Sequence, residues 1–146
     1  MKPHLRLLSW AMALVTFPGF QSAAQHSHPT NRDLTPAQAE SLVIAALSKQ
    51  QRRLPGIQTE QFRNSHSPRF LFFSVMWAPP ANWSGSVVVG NYAVDPETGD
   101  VFSATASCAE ESNRKLRSLQ RRLRLEQGLS DKDYRRLKTS GPLCLE

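Results

Sequence analysis

The sequence predicts an α+β fold: an N-terminal helix packed on an antiparallel sheet of about four strands, followed by a disulfide-linked C-terminal helical pair. Three observations predict it. Ala39, Leu42, Val43, Ala46 and Leu47 recur at spacings of three and four, the signature of one buried helical stripe. Dense apolar and aromatic runs, FLFFSVMW foremost, fill the middle of the chain between turn-forming residues. Helical spacing then returns with Leu116, Leu119 and Leu123.

Before the first helix, Lys2 and Arg6 precede an apolar run from Leu7 to about Phe20, and small residues follow at Ser22 and Ala24. That three-part pattern is a secretory signal peptide over residues 1–24, with cleavage expected after Ala24. The run is shorter than the roughly 20 apolar residues that a membrane span needs, so no transmembrane segment is expected after cleavage. Residues 25–34 read as a flexible leader and 35–146 as a single domain. Taking Lys2 and Arg6 from the 18 basic residues leaves 16 against 12 acids, a net charge of +4 on the exported chain. Its expected location is periplasmic or secreted.

Thr35, Pro36 and Gln38 form a helix start: an N-cap, a proline at the first position and a capping-box partner. The helix is expected to run to about Arg52, where Leu54-Pro55-Gly56 ends it. Strands are expected over 57–63, 70–77, 87–94 and 101–106, the second covered on both faces because it has few polar residues. Between the last two lies Asp95-Pro96-Glu97-Thr98-Gly99-Asp100. Asp95, Pro96 and Gly99 suit a turn that needs a side-chain acceptor, a fixed φ and a residue free to take positive φ. The alternative, a calcium loop of Asp95, Glu97 and Asp100, lacks the glycine and final glutamate of an EF-hand. Ser107 and Glu110 read as a capping box opening a helix from Ala109 to Gln127. Gly128 ends it, and Ser130 with Asp133 starts a short final helix.

Cys108 and Cys144 are the only cysteines, and in an exported chain an even pair reads as one disulfide. His26, His28 and His66 have no other ligand type at metal spacing, so neither a metal nor a cofactor is expected. No nucleophile stands beside a visible base and no G-x-S-x-G elbow is present, so the chain reads as not an enzyme.

Two features remain for partner binding. Trp77, Pro79, Pro80 and Trp83 make a proline-stiffened aromatic loop, a good interface anchor unless Trp83 folds back over the sheet edge. Arg114, Arg117, Arg121 and Arg124 mark a helix with Lys115 and Arg122 and no acid between them, able to steer an acidic protein or envelope surface. Export, and the lack of aromatics interleaved on that helix, exclude nucleic acid.

The pattern Tyr92-x-Val94-Asp95-x-x-Thr98-Gly99-x-Val101 resembles the closing hairpin of PepSY-type domains, and one helix followed by an antiparallel sheet looks cystatin-like. GNYAVDPETGDVF, followed by a Cys, a Leu/Arg-rich helix and a terminal Pro-x-Cys, resembles a group of small exported proteins of Gram-negative bacteria. That likeness carries compartment and architecture rather than an activity. The expected function is a non-catalytic protein-binding domain with a partner in the cell envelope, an inhibitor or immunity-type protein. The alternative is an envelope enzyme, or an enzyme accessory, with a site assembled only by the fold.

Overall fold

A computed structural model describes residues 33–105, 107–138 and 141–142. The signal peptide, the leader up to residue 32 and Cys144 lie outside these residues. Helix α1, Pro36–Ala46, starts as its cap chemistry requires. The Gln38 amide donates to Thr35 Oγ1 at 3.3 Å, and the Thr35 amide donates to Gln38 Oε1 at 2.9 Å. Two donors that the helix leaves unpaired are thereby satisfied.

α1 ends at Ala46, short of the expected Arg52. Ser48 and Gln51 form a second reciprocal box, 2.8 Å and 3.2 Å, which opens a separate 3-10 turn at Gln51–Arg53. The carbonyls freed at the end of α1 are taken from outside the helix. Asn113 Nδ2 donates to Ala45 O and Ala46 O, and the Arg52 guanidinium donates to Ala45 O and Leu47 O.

Strands β1 Gln58–Phe62, β2 Leu71–Met76, β3 Val88–Val94 and β4 Val101–Ser103 form an antiparallel meander in chain order. Because side chains alternate along a strand, register assigns each face. Phe73 opposite Tyr92, and Val94 opposite Val101, turn toward α1 and join Leu42, Val43, Ala46 and Leu47 in the main core. Phe72 opposite Ala93, and Ala93 opposite Phe102, turn the other way. There Phe62 lies 5.6 Å from Phe72, and Phe70 meets Phe102 edge-on at 6.0 Å. β2 is thus covered on both faces at its centre, as its largely apolar run implies.

Helices α2, Arg114–Glu126, and α3, Asp131–Leu137, complete the order. The start of α2 corrects the expected capping box of Ser107 and Glu110. Instead, the Ser103 amide bonds to Ala109 O, the Glu111 amide bonds to Val101 O, and Glu110 bridges to Phe102. This segment is held extended against β4, so the helix waits for Asn113, whose side chain accepts from the Leu116 amide at 2.9 Å. Asn113 outcompetes Ser107 because its amide caps the C-terminus of α1 while its oxygen caps the N-terminus of α2.

The expected leader also needs correcting at its end. Leu34 is buried in the main core and its amide donates to Pro96 O at 2.9 Å. The domain therefore includes Leu34, which precedes the N-cap and buries its side chain with Ala39 in one core. At the other end, Cys108 Sγ lies 3.4 Å from the carbonyl oxygen of buried Pro142, which places the chain's last described residues beside the end of the sheet.

Candidate protein-binding surface

The corner between β3 and β4 is the point where the elements are tied together. The Asp95 side chain accepts from the Glu97 amide at 3.0 Å, the Gly99 amide returns to Asp95 O at 2.8 Å, and Gly99 takes φ +72°. Its carboxylates do not converge on a common point. Asp95 and Glu97 are held by Arg69 at 3.1 Å and 2.8 Å, whereas Asp100 is held by Arg124 at 2.7 Å. Gln120 Nε2 donates to Gly99 O at 2.9 Å and Arg124 Nε donates to Thr98 O at 2.7 Å. The corner thus receives one arginine from the β1–β2 connection and two side chains from α2. Among the described residues no group of three His, Cys, Asp or Glu is placed to hold a metal ion.

Asp100 is the most deeply paired carboxylate of α2's contacts with the corner. Burial lifts its carboxyl above the ordinary value, although Arg124 and the Tyr134 hydroxyl, 3.1 Å from Oδ1, both pull it down. The desolvation of a nearly inaccessible carboxylate outweighs one arginine that is itself partly buried.

These contacts divide the basic helix and correct its reading as one continuous partner-binding stripe. Arg124 turns inward to Asp100 and lies 3.7 Å from the centroid of the Tyr134 ring. Arg117 donates to Ser112 Oγ at 2.9 Å, and it lines the α3 side of the helix with Arg121. Arg114 belongs to the opposite side. With Lys115 and Arg122 it faces the C-terminal end of α1 across an open groove of about 790 Å³. Lys49 and Arg52 line the other wall, and half-buried Leu119 supplies apolar surface. The groove's cations therefore come from two distant stretches. Lys49 and Arg52 were missed as a site because the first helix was expected to continue through them. The signal available was the basic composition of SKQQRR itself.

The aromatic loop lies at the other end of the sheet. Trp77 and Trp83 meet edge-on at 5.2 Å, and Trp83 Nε1 donates to Ser86 O at 3.3 Å. The Trp83 amide closes a turn on Pro80 O at 2.9 Å, with Pro79 half-buried and Pro80 exposed. Trp83 nevertheless stays 50% exposed, next to Val87 at 40% and Val88 at 43%. It has local contacts without becoming a core residue. The Ala78 amide bonds to Pro55 O at 2.9 Å, which fastens this loop to the connection that leaves the groove wall.

Elsewhere, Tyr92 and Glu111 form the other perturbed pair. Burial lifts the Tyr92 phenol above its ordinary value, the Glu111 carboxylate adds to the rise, and a hydrogen bond with Gln51 opposes it. Burial also lifts Glu111. Both shifts favour the neutral form, whereas an acid and base pair gains from shifts that separate the two roles. No helix among the described residues is long and apolar enough to cross a membrane.

No family model and no curated protein matches the chain, so the PepSY-type and cystatin-like resemblance has no support beyond its own dozen residues. Among solved structures, the chain is similar to one chain of a type VI secretion system effector–immunity complex from Pseudomonas protegens. The likeness has a TM-score of 0.54 at 29% sequence identity and covers 69% of this chain and 83% of that one.

Proposed function

We propose that this chain is an exported, non-catalytic protein-binding domain of immunity type, which holds and occludes a partner protein in the cell envelope. The observation that carries the reading is the likeness to a chain of an effector–immunity complex, at an identity that goes with shared ancestry more than with a common fold alone. An α+β domain with a half-exposed Trp83 and a separate cationic groove supplies the anchors that such binding uses. The signal peptide over 1–24 places the encounter outside the cytoplasm, and a Cys108–Cys144 disulfide secures the domain there.

The test is neutralisation. The product of the adjoining gene is directed to the periplasm with and without this chain, and growth is followed. Relief of growth arrest, together with a stable complex of the two purified proteins, is the expected result. In that complex Trp83→Ala lowers affinity by at least about 1 kcal/mol, since exposed tryptophans at interface centres are common hot spots. A non-toxic neighbour, or a toxic one whose activity this chain leaves intact, counts against the proposal.

A further inference from the structure

The groove between α1 and α2 carries an inference of its own. Lys49, Arg52, Arg114, Lys115 and Arg122 line it, and no carboxylate does. Two of these cations have other duties: Arg52 bonds to the carbonyls that end α1, and Arg122 pairs loosely with Glu126 at 3.7 Å on the solvent side. Lys49, Arg114 and Lys115 make no ion pair among the described residues. Positive charge is therefore gathered from two elements into one concavity and left uncompensated. Such an arrangement costs self-repulsion in the free protein and attracts a complementary anion.

The shape and lining narrow the anion's class. From Arg114 to Arg122 a helix rises by about 12 Å, which an extended segment of about four residues spans. Leu119, half-buried, offers apolar surface between the charges, a place for a side chain rather than for water, while Leu47 beneath it belongs to the core. No aromatic residue lines the groove, so nothing there stacks a nucleobase. We propose that this groove receives a short acidic segment of a partner protein, its carboxylates meeting Lys49, Arg114 and Lys115 and one apolar side chain resting on Leu119.

The inference deepens the protein-binding reading and rests on it for the origin of the segment. It is tested first with a defined probe. A fluorescein-labelled peptide, Glu-Glu-Leu-Glu-Glu, is titrated onto the oxidised exported chain beside its glutamine counterpart, with amide shift mapping of the bound state. Expected are shifts at Lys49, Arg114, Lys115 and Leu119, and binding at least about tenfold tighter for the acidic peptide. The double reversal R114E/K115E loses about tenfold or more of that affinity, whereas R121E/K132E, an equal change of net charge on the α3 side, loses little. All four side chains are exposed, so neither variant disturbs the core.

Equal losses in the two double variants, or shifts away from the groove, overturn the proposal. So does uptake by phosphatidylglycerol vesicles that R114E/K115E abolishes while the peptide goes unbound, which makes the groove a lipid-facing site. The two readings fail separately. A neutralised partner that binds wild type and R114E/K115E alike removes the groove and leaves the immunity-type reading standing. Peptide bound in the groove, with no protein partner neutralised, does the reverse.

Discussion

Arg124 lies with its guanidinium 3.7 Å from the centre of the Tyr134 ring and its Nη2 2.7 Å from Asp100 Oδ1, so one side chain of α2 joins the hairpin corner to α3. Tyr134 completes the triangle through its hydroxyl, 3.1 Å from the same oxygen. Asp100 and Arg124 are largely sheltered, and removing one charge leaves the other stranded. This relationship explains why a helix dense in arginine keeps Arg124 for the fold while Arg114 faces the groove.

Arg124→Met is therefore expected to destabilise the domain by roughly 3 kcal/mol near neutral pH, the usual cost of stripping a buried carboxylate of its partner. The pH dependence follows from Asp100, whose folded pKa is raised above its unfolded value by burial. A raised carboxyl contributes most when protonated, and its contribution is lost as pH rises from the unfolded pKa through the folded one. Without Arg124 the folded pKa moves higher still, so the penalty shrinks on acidification. Urea unfolding of both proteins at about pH 7 and about pH 4 checks this, and a penalty that grows at low pH would refute it.

Gly99 and Gly128 both take positive φ, +72° and +66°, in different surroundings. A Cβ at Gly99 would meet Leu42 and Leu34 methyls at 3.4 Å and 3.5 Å, whereas one at Gly128 meets nothing within 4 Å. Alanine at either position is expected to cost about 1–2 kcal/mol from the left-handed backbone. Asparagine, which tolerates that conformation, recovers part of the loss at Gly128. It does not at Gly99, where its amide would press on buried leucines. Urea midpoints for the four variants decide it.

What was legible in the sequence was local. Thr35, Pro36 and Gln38 announce α1 through neighbours within one turn, and the alternation and turn residues around Asp95 announce the hairpin. What was hidden depends on partners far away in the chain. Ser107 and Glu110 satisfy a capping pattern on paper, yet pairing of 109–111 with β4 claims that backbone, and Asn113 caps α2 because α1 happens to end beside it. The same holds for the surface. The aromatic loop could be picked out from Trp83 and its prolines, but the groove could not, since two of its five cations, Lys49 and Arg52, come from residues assigned to a helix that stops before them.

The proposed Cys108–Cys144 bond has a consequence that distinguishes it from two independent thiols. Buried Pro142 lies against Cys108, and a Cβ on Gly141 would come within 2.9 Å of the Phe102 ring, so these two residues lie against the aromatic face of the sheet. One bond closing a long loop contributes roughly 3 to 4 kcal/mol in the chain-entropy account. Cys108→Ala, Cys144→Ala and the double variant are accordingly expected to lose the same stability, with greater dye binding to the exposed face around Phe102. Additive losses in the double variant would argue for two unrelated packing roles, and non-reducing peptide mapping would then show no linked pair.

Leu34 belongs to the folded domain. Its side chain is 4% exposed, it packs with Leu42 over Gly99, and its amide closes a hydrogen bond to Pro96 O. A residue that touches the first helix and the hairpin corner together acts as a clasp between chain segments about 60 residues apart, and truncating a buried leucine usually costs 2–5 kcal/mol. The lower part of that range, about 2–3 kcal/mol, is expected for Leu34→Ala, because Leu34 precedes the first helix rather than lying within a regular element, and such a site relaxes more readily. Removal of residues 25–32 should leave the urea midpoint where it is, whereas removal through Leu34 should lower it by at least as much as the alanine variant, since the bond to Pro96 goes too. If the longer truncation is as stable as the shorter one, Leu34 is no clasp, and α1 is held by its own apolar face alone.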